Sequence, residues 1–109
     1  MFETSGAHPS GIQRAAELFR SLGNPTRVGI VELLSRGPRC VHELVDELHV
    51  DQPLVSQHLR VLRSVDLVRT ERRGREVVYS LADDHVAHIV RDALTHAQEI
   101  ATQPAKEHS

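Results

Sequence analysis

Two imidazoles and two carboxylates stand together near the end of this chain: Asp83, His85, His96 and Glu99. Those donor types suit a divalent cation such as Zn2+, which takes nitrogen and oxygen ligands in a tetrahedron, with Co2+ as its imitator. Apolar residues at helical spacing, Val86, Ile89, Val90, Ala93, Ala97 and Ile100, predict that a last helix from about Asp83 to Thr102 carries all four. His85 and His96 then share a face, because eleven residues complete about three turns, but at about 1.5 Å rise per residue they stand ~16 Å apart along the axis. One helix cannot close them onto one ion. Two copies crossing antiparallel can, since the Asp83/His85 end of one helix meets the His96/Glu99 end of the other, and a homodimer then holds two equivalent sites. Ni2+ or Co2+ in a larger coordination sphere is the alternative, with His88, His108 or His8 supplying further donors. An enzyme is not expected: four protein ligands close a tetrahedral ion and leave no position for water or substrate, and no nucleophile motif accompanies them.

A second chemistry lies in the middle of the chain. Between Gln52 and Arg75, six arginines (Arg60, Arg63, Arg69, Arg72, Arg73 and Arg75) face only Asp66 and Glu71, although the formal net charge of the whole chain is −2. A basic stretch inside an acidic protein is a local footprint for phosphate, and double-stranded DNA is the partner it points to.

The elements that position these residues can be read from spacing and punctuation. Residues 1–10 are small and polar and predict a flexible arm; 104–109 predict a polar tail, leaving 11–103 as one domain. Ile12, Ala15, Ala16, Leu18, Phe19 and Leu22 repeat as a first helix, stopped at Gly23-Asn24-Pro25. Pro25 opens a second helix carried by Val28, Ile30, Val31, Leu33 and Leu34 and ended at Gly37-Pro38; the two are expected to form a helical hairpin. A third helix runs from Val41 to Leu48. After His49-Val50, Asp51 caps a fourth, with Pro53 in its first turn and Val55, Leu59 and Leu62 as its buried stripe. That stripe leaves Gln52, Ser56, Gln57 and Arg60 free to reach base edges or phosphates. Leu67 to Thr70 and Val77 to Leu81 are β-prone, with Arg73-Gly74 turning the chain between them. The hairpin carries Arg72, Arg73 and Arg75 as phosphate contacts. The fold class is therefore mainly α with a small β-hairpin, in the order α-α-α-α-β-β-α: a winged helix-turn-helix.

No apolar run approaches the length of a membrane span, and the start lacks a basic segment followed by an apolar one, so neither insertion nor secretion is expected. The lone Cys40 suits a reducing compartment, and the expected location is the cytoplasm.

Asn24-Pro25-Thr26-Arg27, Cys40-Val41-His42-Glu43-Leu44, Val55 through Leu62, Gly74 through Tyr79 and the final helix together resemble the ArsR/SmtB family of bacterial metal-sensing repressors, over roughly Ile12 to Thr102. The resemblance implies a homodimer that binds an inverted-repeat operator when metal-free and releases it when metal binds. Its zinc-sensing branch carries Asp-x-His, ten residues, His, two residues, then Glu or His on the last helix, which matches Asp83, His85, His96 and Glu99 in full. Some members of the family have lost these ligands, so a metal-independent repressor is the further alternative. Relatives with a thiolate site place a cysteine where Cys40 stands and an acid three residues later, here Glu43, with further ligands from the N-terminal arm, where His8 is the available donor. Relatives often read Ser-His-Gln-Leu in the recognition helix, whereas this chain has Ser56-Gln57-His58-Leu59.

Overall fold

The structure is a computed structural model, and it describes residues 10–102. The expected arm and tail, with His8 and His108, lie outside the described residues. Five helices and three strands follow in order: α1 (Gly11–Ser21), α2 (Pro25–Leu34), β1 (Arg39–Cys40), α3 (Val41–Leu48), α4 (Gln52–Ser64), β2 (Val68–Arg73), β3 (Glu76–Leu81) and α5 (Asp84–Thr102).

Local chemistry explains most of the boundaries. Ser10 and Gln13 form a capping box at α1: the Ser10 hydroxyl accepts from the Gln13 N–H at 3.1 Å, and the Gln13 side chain accepts from the Ser10 N–H at 2.8 Å. The Asn24 side chain accepts from the N–H groups of Thr26 and Arg27, with Pro25 at the first position of α2. Asp51 holds the backbone position that opens α4, but its side chain makes no capping bond; its carbonyl accepts from Leu54 and Val55 instead. Asp83 stands just before α5 rather than inside it, and its carboxylate accepts from the Val86 N–H at 3.2 Å.

The β elements differ from expectation in three ways. Arg39-Cys40 is a strand, pairing antiparallel with Tyr79 and Val78, so the sheet has three strands in the order β1-β3-β2. Two residues are too few to show an alternation, which hides β1 from pattern reading. The hairpin also runs longer: Arg73 pairs with Glu76, and the two-residue turn is Gly74-Arg75, not Arg73-Gly74. Positive φ at Gly74 (64°) and not at Arg75 is the arrangement of a type II′ turn, which wants glycine first.

One core joins these parts. Ile30, Val31, Leu33 and Leu34 of α2 pack with Leu44 of α3, Val55, Leu59 and Leu62 of α4, Leu67 and Val68, and Val86 and Val90 of α5. The expected α1–α2 hairpin is absent: α2 packs against α3, α4 and α5, while α1 reaches the core through Leu18 and Leu22 at its end. Ile12 (60% exposed) and Phe19 (59%) face solvent, as does Ile100 (58%) in the second half of α5. The apolar stripe of α5 is thus buried only where Val86, Ala87 and Val90 meet the core.

A polar tie crosses the same core. Arg27 of α2 donates through Nε to His58 Nδ1 of α4 at 3.1 Å and through Nη1 to the Ser21 carbonyl at 3.0 Å. Burial first, and the Arg27 charge second, hold the half-buried His58 below its ordinary pKa of 6.5.

Two predictions follow from this packing. Leu62→Ala removes a fully buried side chain and is expected to destabilise the fold by about 2–5 kcal/mol in denaturant melts, whereas Gln57→Ala on the exposed side of α4 should stay within about 0.5 kcal/mol. Because the folded state holds His58 neutral, the unfolded chain binds the extra proton, and stability contributed by this contact is present above the ordinary pKa of 6.5 and lost as pH falls below it. Melting temperature should therefore drop more steeply on acidification in the parent chain than in His58→Gln; equal slopes would show that His58 is not the titrating group.

Candidate nucleic-acid interface and metal centres

The buried stripe of α4 fixes what that helix presents. With Val55, Leu59 and Leu62 turned into the core, Gln52, Gln57, Arg60 and Arg63 are exposed and Ser56 is half-buried. Ser56, Arg60 and Arg63 line one cleft of about 330 Å3 together with Tyr79 of β3, so the helix and the hairpin form a continuous polar surface. Arg63 and Tyr79 extend the set expected from sequence. Arg63 is visible as one more basic residue on α4; Tyr79 joins only through the fold.

On the hairpin, Arg72, Arg73 and Arg75 are all exposed. Arg72 and Arg73 end β2 and Arg75 lies in the turn, so all three gather at the tip of the wing. Arg73 donates to Glu71 at 3.1 Å, an exposed pair that water screens and a phosphate can replace.

Asp83, just before α5, and His85, His96 and Glu99 on it are all exposed. Within one chain they do not converge: the cluster of metal-ligating side chains among the described residues lies elsewhere. The helical rise keeps His85 and His96 ~16 Å apart, so only a second copy can unite them. The donor set, two imidazoles and two carboxylates with nothing apolar over them, fits Zn2+. Asp83 accepts the Val86 N–H through one carboxylate oxygen, Oδ1, at the start of α5.

The cluster that does form surrounds Cys40, which is buried at the start of α3. Its Sγ lies 3.2 Å from Glu43 Oε1, 3.5 Å from Glu76 Oε1 and 3.8 Å from His42 Nε2. Glu43 is already engaged, its Oε1 accepting the Cys40 N–H at 2.9 Å in the capping box of α3. These bonds, the backbone one foremost, hold the Glu43 carboxyl below its ordinary range. Burial, followed by the two carboxylates, pushes the Cys40 thiol up to about 11, so it is a neutral donor here. Sequence reading named Cys40 and Glu43 and missed His42 and Glu76. The i, i+2 pair Cys40/His42 was visible; Glu76 is 36 residues away and reaches Cys40 only through the sheet.

The chain as a whole is similar to known proteins. The profile of the bacterial regulatory protein arsR family matches residues 24–70. The chain is 58% identical over 90 residues to the HTH-type transcriptional repressor SmtB of Mycobacterium tuberculosis, covering 83% of this chain and 67% of the relative. It is 42% identical to a transcriptional repressor SmtB homolog of Synechocystis, over 80% of this chain and 66% of the relative. Among solved structures, a homodimeric winged helix-turn-helix DNA-binding domain from Mycobacterium bovis superposes with a TM-score of 0.78 at 25% identity, covering 94% of this chain and 99% of that one. With a winged helix-turn-helix, a basic recognition helix and wing, and repressor relatives at this level of identity, the chain belongs to the ArsR/SmtB family of metal-sensing transcriptional repressors.

Proposed function

We propose that two copies of this chain bind an inverted-repeat operator when metal-free and release it when Zn2+ binds between their last helices. The observation that carries the reading is the end of the chain: Asp83 just before α5 and His85, His96 and Glu99 on it are exposed and do not meet within one chain, while α1 and α5 also leave apolar side chains exposed. Ile12, Phe19 and Ile100 supply the apolar area for a second copy. The Mycobacterium bovis neighbour, itself described as homodimeric, lends the assembly a precedent. Such a repressor works beside the chromosome, in the cytoplasm.

In that dimer Asp83 and His85 of one protomer and His96 and Glu99 of its partner would hold the ion, which supplies four bonds tying the two α5 helices together. Gln52, Ser56, Gln57 and Arg60 would enter the major groove, and Arg72, Arg73 and Arg75 would grip phosphate. Two recognition helices can use successive major grooves only at about one helical turn of separation. A dimer fixed at another separation loses one of its two half-sites. Binding is reciprocal: a metal that weakens DNA binding is itself weakened by DNA, with a coupling of order 1–3 kcal/mol. His96 is the residue best placed to pass this on, since a ligating imidazole usually donates its other N–H to a neighbour.

A fluorescent operator from the chain's own promoter, titrated with Zn2+, Ni2+ and Co2+, tests partner, effector and direction together. Zn2+ is expected to lower anisotropy at the lowest concentration; release driven best by Ni2+ would instead point to a larger coordination sphere using the exposed His88. His96→Ala is expected to bind the operator like the parent and to ignore Zn2+, and a variant still released by Zn2+ would refute the α5 site. Arg72→Ala should weaken binding about equally across sequences and reduce the slope of log K against log salt by about 1.

A further inference from the structure

Arg27 joins three helices through two hydrogen bonds. It stands in the first turn of α2, donates through Nη1 to the carbonyl of Ser21, the last residue of α1, at 3.0 Å, and donates through Nε to His58 Nδ1 of α4 at 3.1 Å. Ser21 is buried, and Arg27 and His58 are half-buried, so water competes poorly for either bond. His58 in turn lies between the exposed Gln57, on the surface assigned to the operator, and Leu59, in the core. What happens at its ring is therefore passed directly to the recognition helix.

An imidazole nitrogen accepts a hydrogen bond only while it carries no proton. The neutral His58 ring, with its hydrogen on Nε2, takes the Arg27 bond. A ring that has gained a second proton from solvent at Nδ1 is a donor at both nitrogens, and it is then a cation against the Arg27 guanidinium. Protonation replaces an attraction between α2 and α4 by a repulsion. We propose that Arg27 and His58 are positioning residues for operator reading, holding α4 to α2 and the end of α1 while His58 is neutral and releasing it when His58 takes up a proton. This role rests on the operator reading above and does not involve the α5 metal donors.

The surroundings of His58 fix the sign of the effect. Among the elements packed against α4, α2 supplies the charge that acts on His58, that of Arg27; among the described residues α3 and β2 supply none, and α1 contributes only the neutral Ser21 carbonyl beyond Arg27. Burial and the Arg27 charge both favour the neutral ring, so the tie is intact near neutral pH and is lost as pH falls below the ordinary value of 6.5. If the operator is read only by the tied form, affinity falls with pH over the same window. Charge alone gives the opposite sign, because histidines that gain a proton strengthen the attraction to phosphate. Relatives often carry glutamine where this chain has His58, and an amide oxygen accepts without titrating, so the proton sensitivity belongs to this chain.

The test follows operator anisotropy of the full chain, kept metal-free with a chelator, from about pH 7.5 to about pH 5.5, with circular dichroism at each pH to confirm that the protein is folded. The parent is expected to lose at least about fivefold in operator affinity across this range, while its binding to an unrelated duplex holds or rises. His58→Gln, which keeps an acceptor for Arg27 and cannot titrate, is expected to lose this dependence. His58→Leu, which fills the space without an acceptor, is expected to bind the operator near neutral pH only as well as the parent does at the acid end. A parent profile flat to within about twofold, a slope in His58→Gln equal to the parent's, or parent-like binding by His58→Leu near neutral pH would overturn the proposed role. Each of those results is obtained on a protein that binds its operator. A parent chain with no operator affinity at about pH 7.5 would instead overturn the operator reading itself, and this role with it.

Discussion

Everything this molecule presents to a partner depends on how α4 is gripped. Val55, Leu59 and Leu62 lie on one side of that helix and are fully buried among Ile30 and Val31 of α2 and Leu44 of α3. A helix held along one stripe has no rotational freedom left, because turning it by one residue would lift three apolar side chains out of a close-packed core. Its opposite side is therefore set as well, and that side carries Gln52, Gln57, Arg60 and Arg63. The Arg27–His58 hydrogen bond adds direction to a contact that apolar packing alone would leave free to slide along the axis.

The wing is attached by a different kind of bond. β2 and β3 pair over six residues, while β1 adds only Arg39 and Cys40, yet those two residues anchor the hairpin to the helical body at the point where α3 begins. The sheet's apolar burial is confined to its inner end, at Cys40, Val68, Tyr79 and Leu81, and the hairpin's outer half, from Glu71 to Val77, is exposed on every residue. A thin exposed ribbon joined at its base is free to adjust to a phosphate backbone.

The last helix shows how a fixed geometric spacing becomes a functional one. A rise of about 1.5 Å per residue makes His85 and His96 strangers within one chain, however the rest of the domain folds. The same rigidity, applied to two helices crossing, would make metal occupancy a statement about the angle and distance between protomers. Burial of only the first half of the α5 stripe leaves Ile100 exposed, as are the α1 residues Ile12 and Phe19, and in the proposed dimer these would be the surface on which such an angle is set.

How much of this could be read in advance depends on the range of the interactions involved. Helix existence, the Asn24-Pro25 start of α2 and the α4 stripe were legible, because periodicity, caps and spacing are properties of neighbouring residues. The exposed arginines of the wing were legible too, though their register was not: the turn fell one residue later than Arg73-Gly74, since hydrogen-bond pairing rather than glycine position settles where a hairpin closes. The α1–α2 hairpin failed because short connections only suggest adjacency, and α2 found larger apolar surfaces on α3, α4 and α5. By itself the sequence determined which residue types exist, at what local spacing, and hence that this is a winged helix-turn-helix. Only the tertiary structure decided that Glu76 stands beside Cys40 and that Tyr79 joins the α4 surface, because strand pairing brings together residues whose separation along the chain carries no signal.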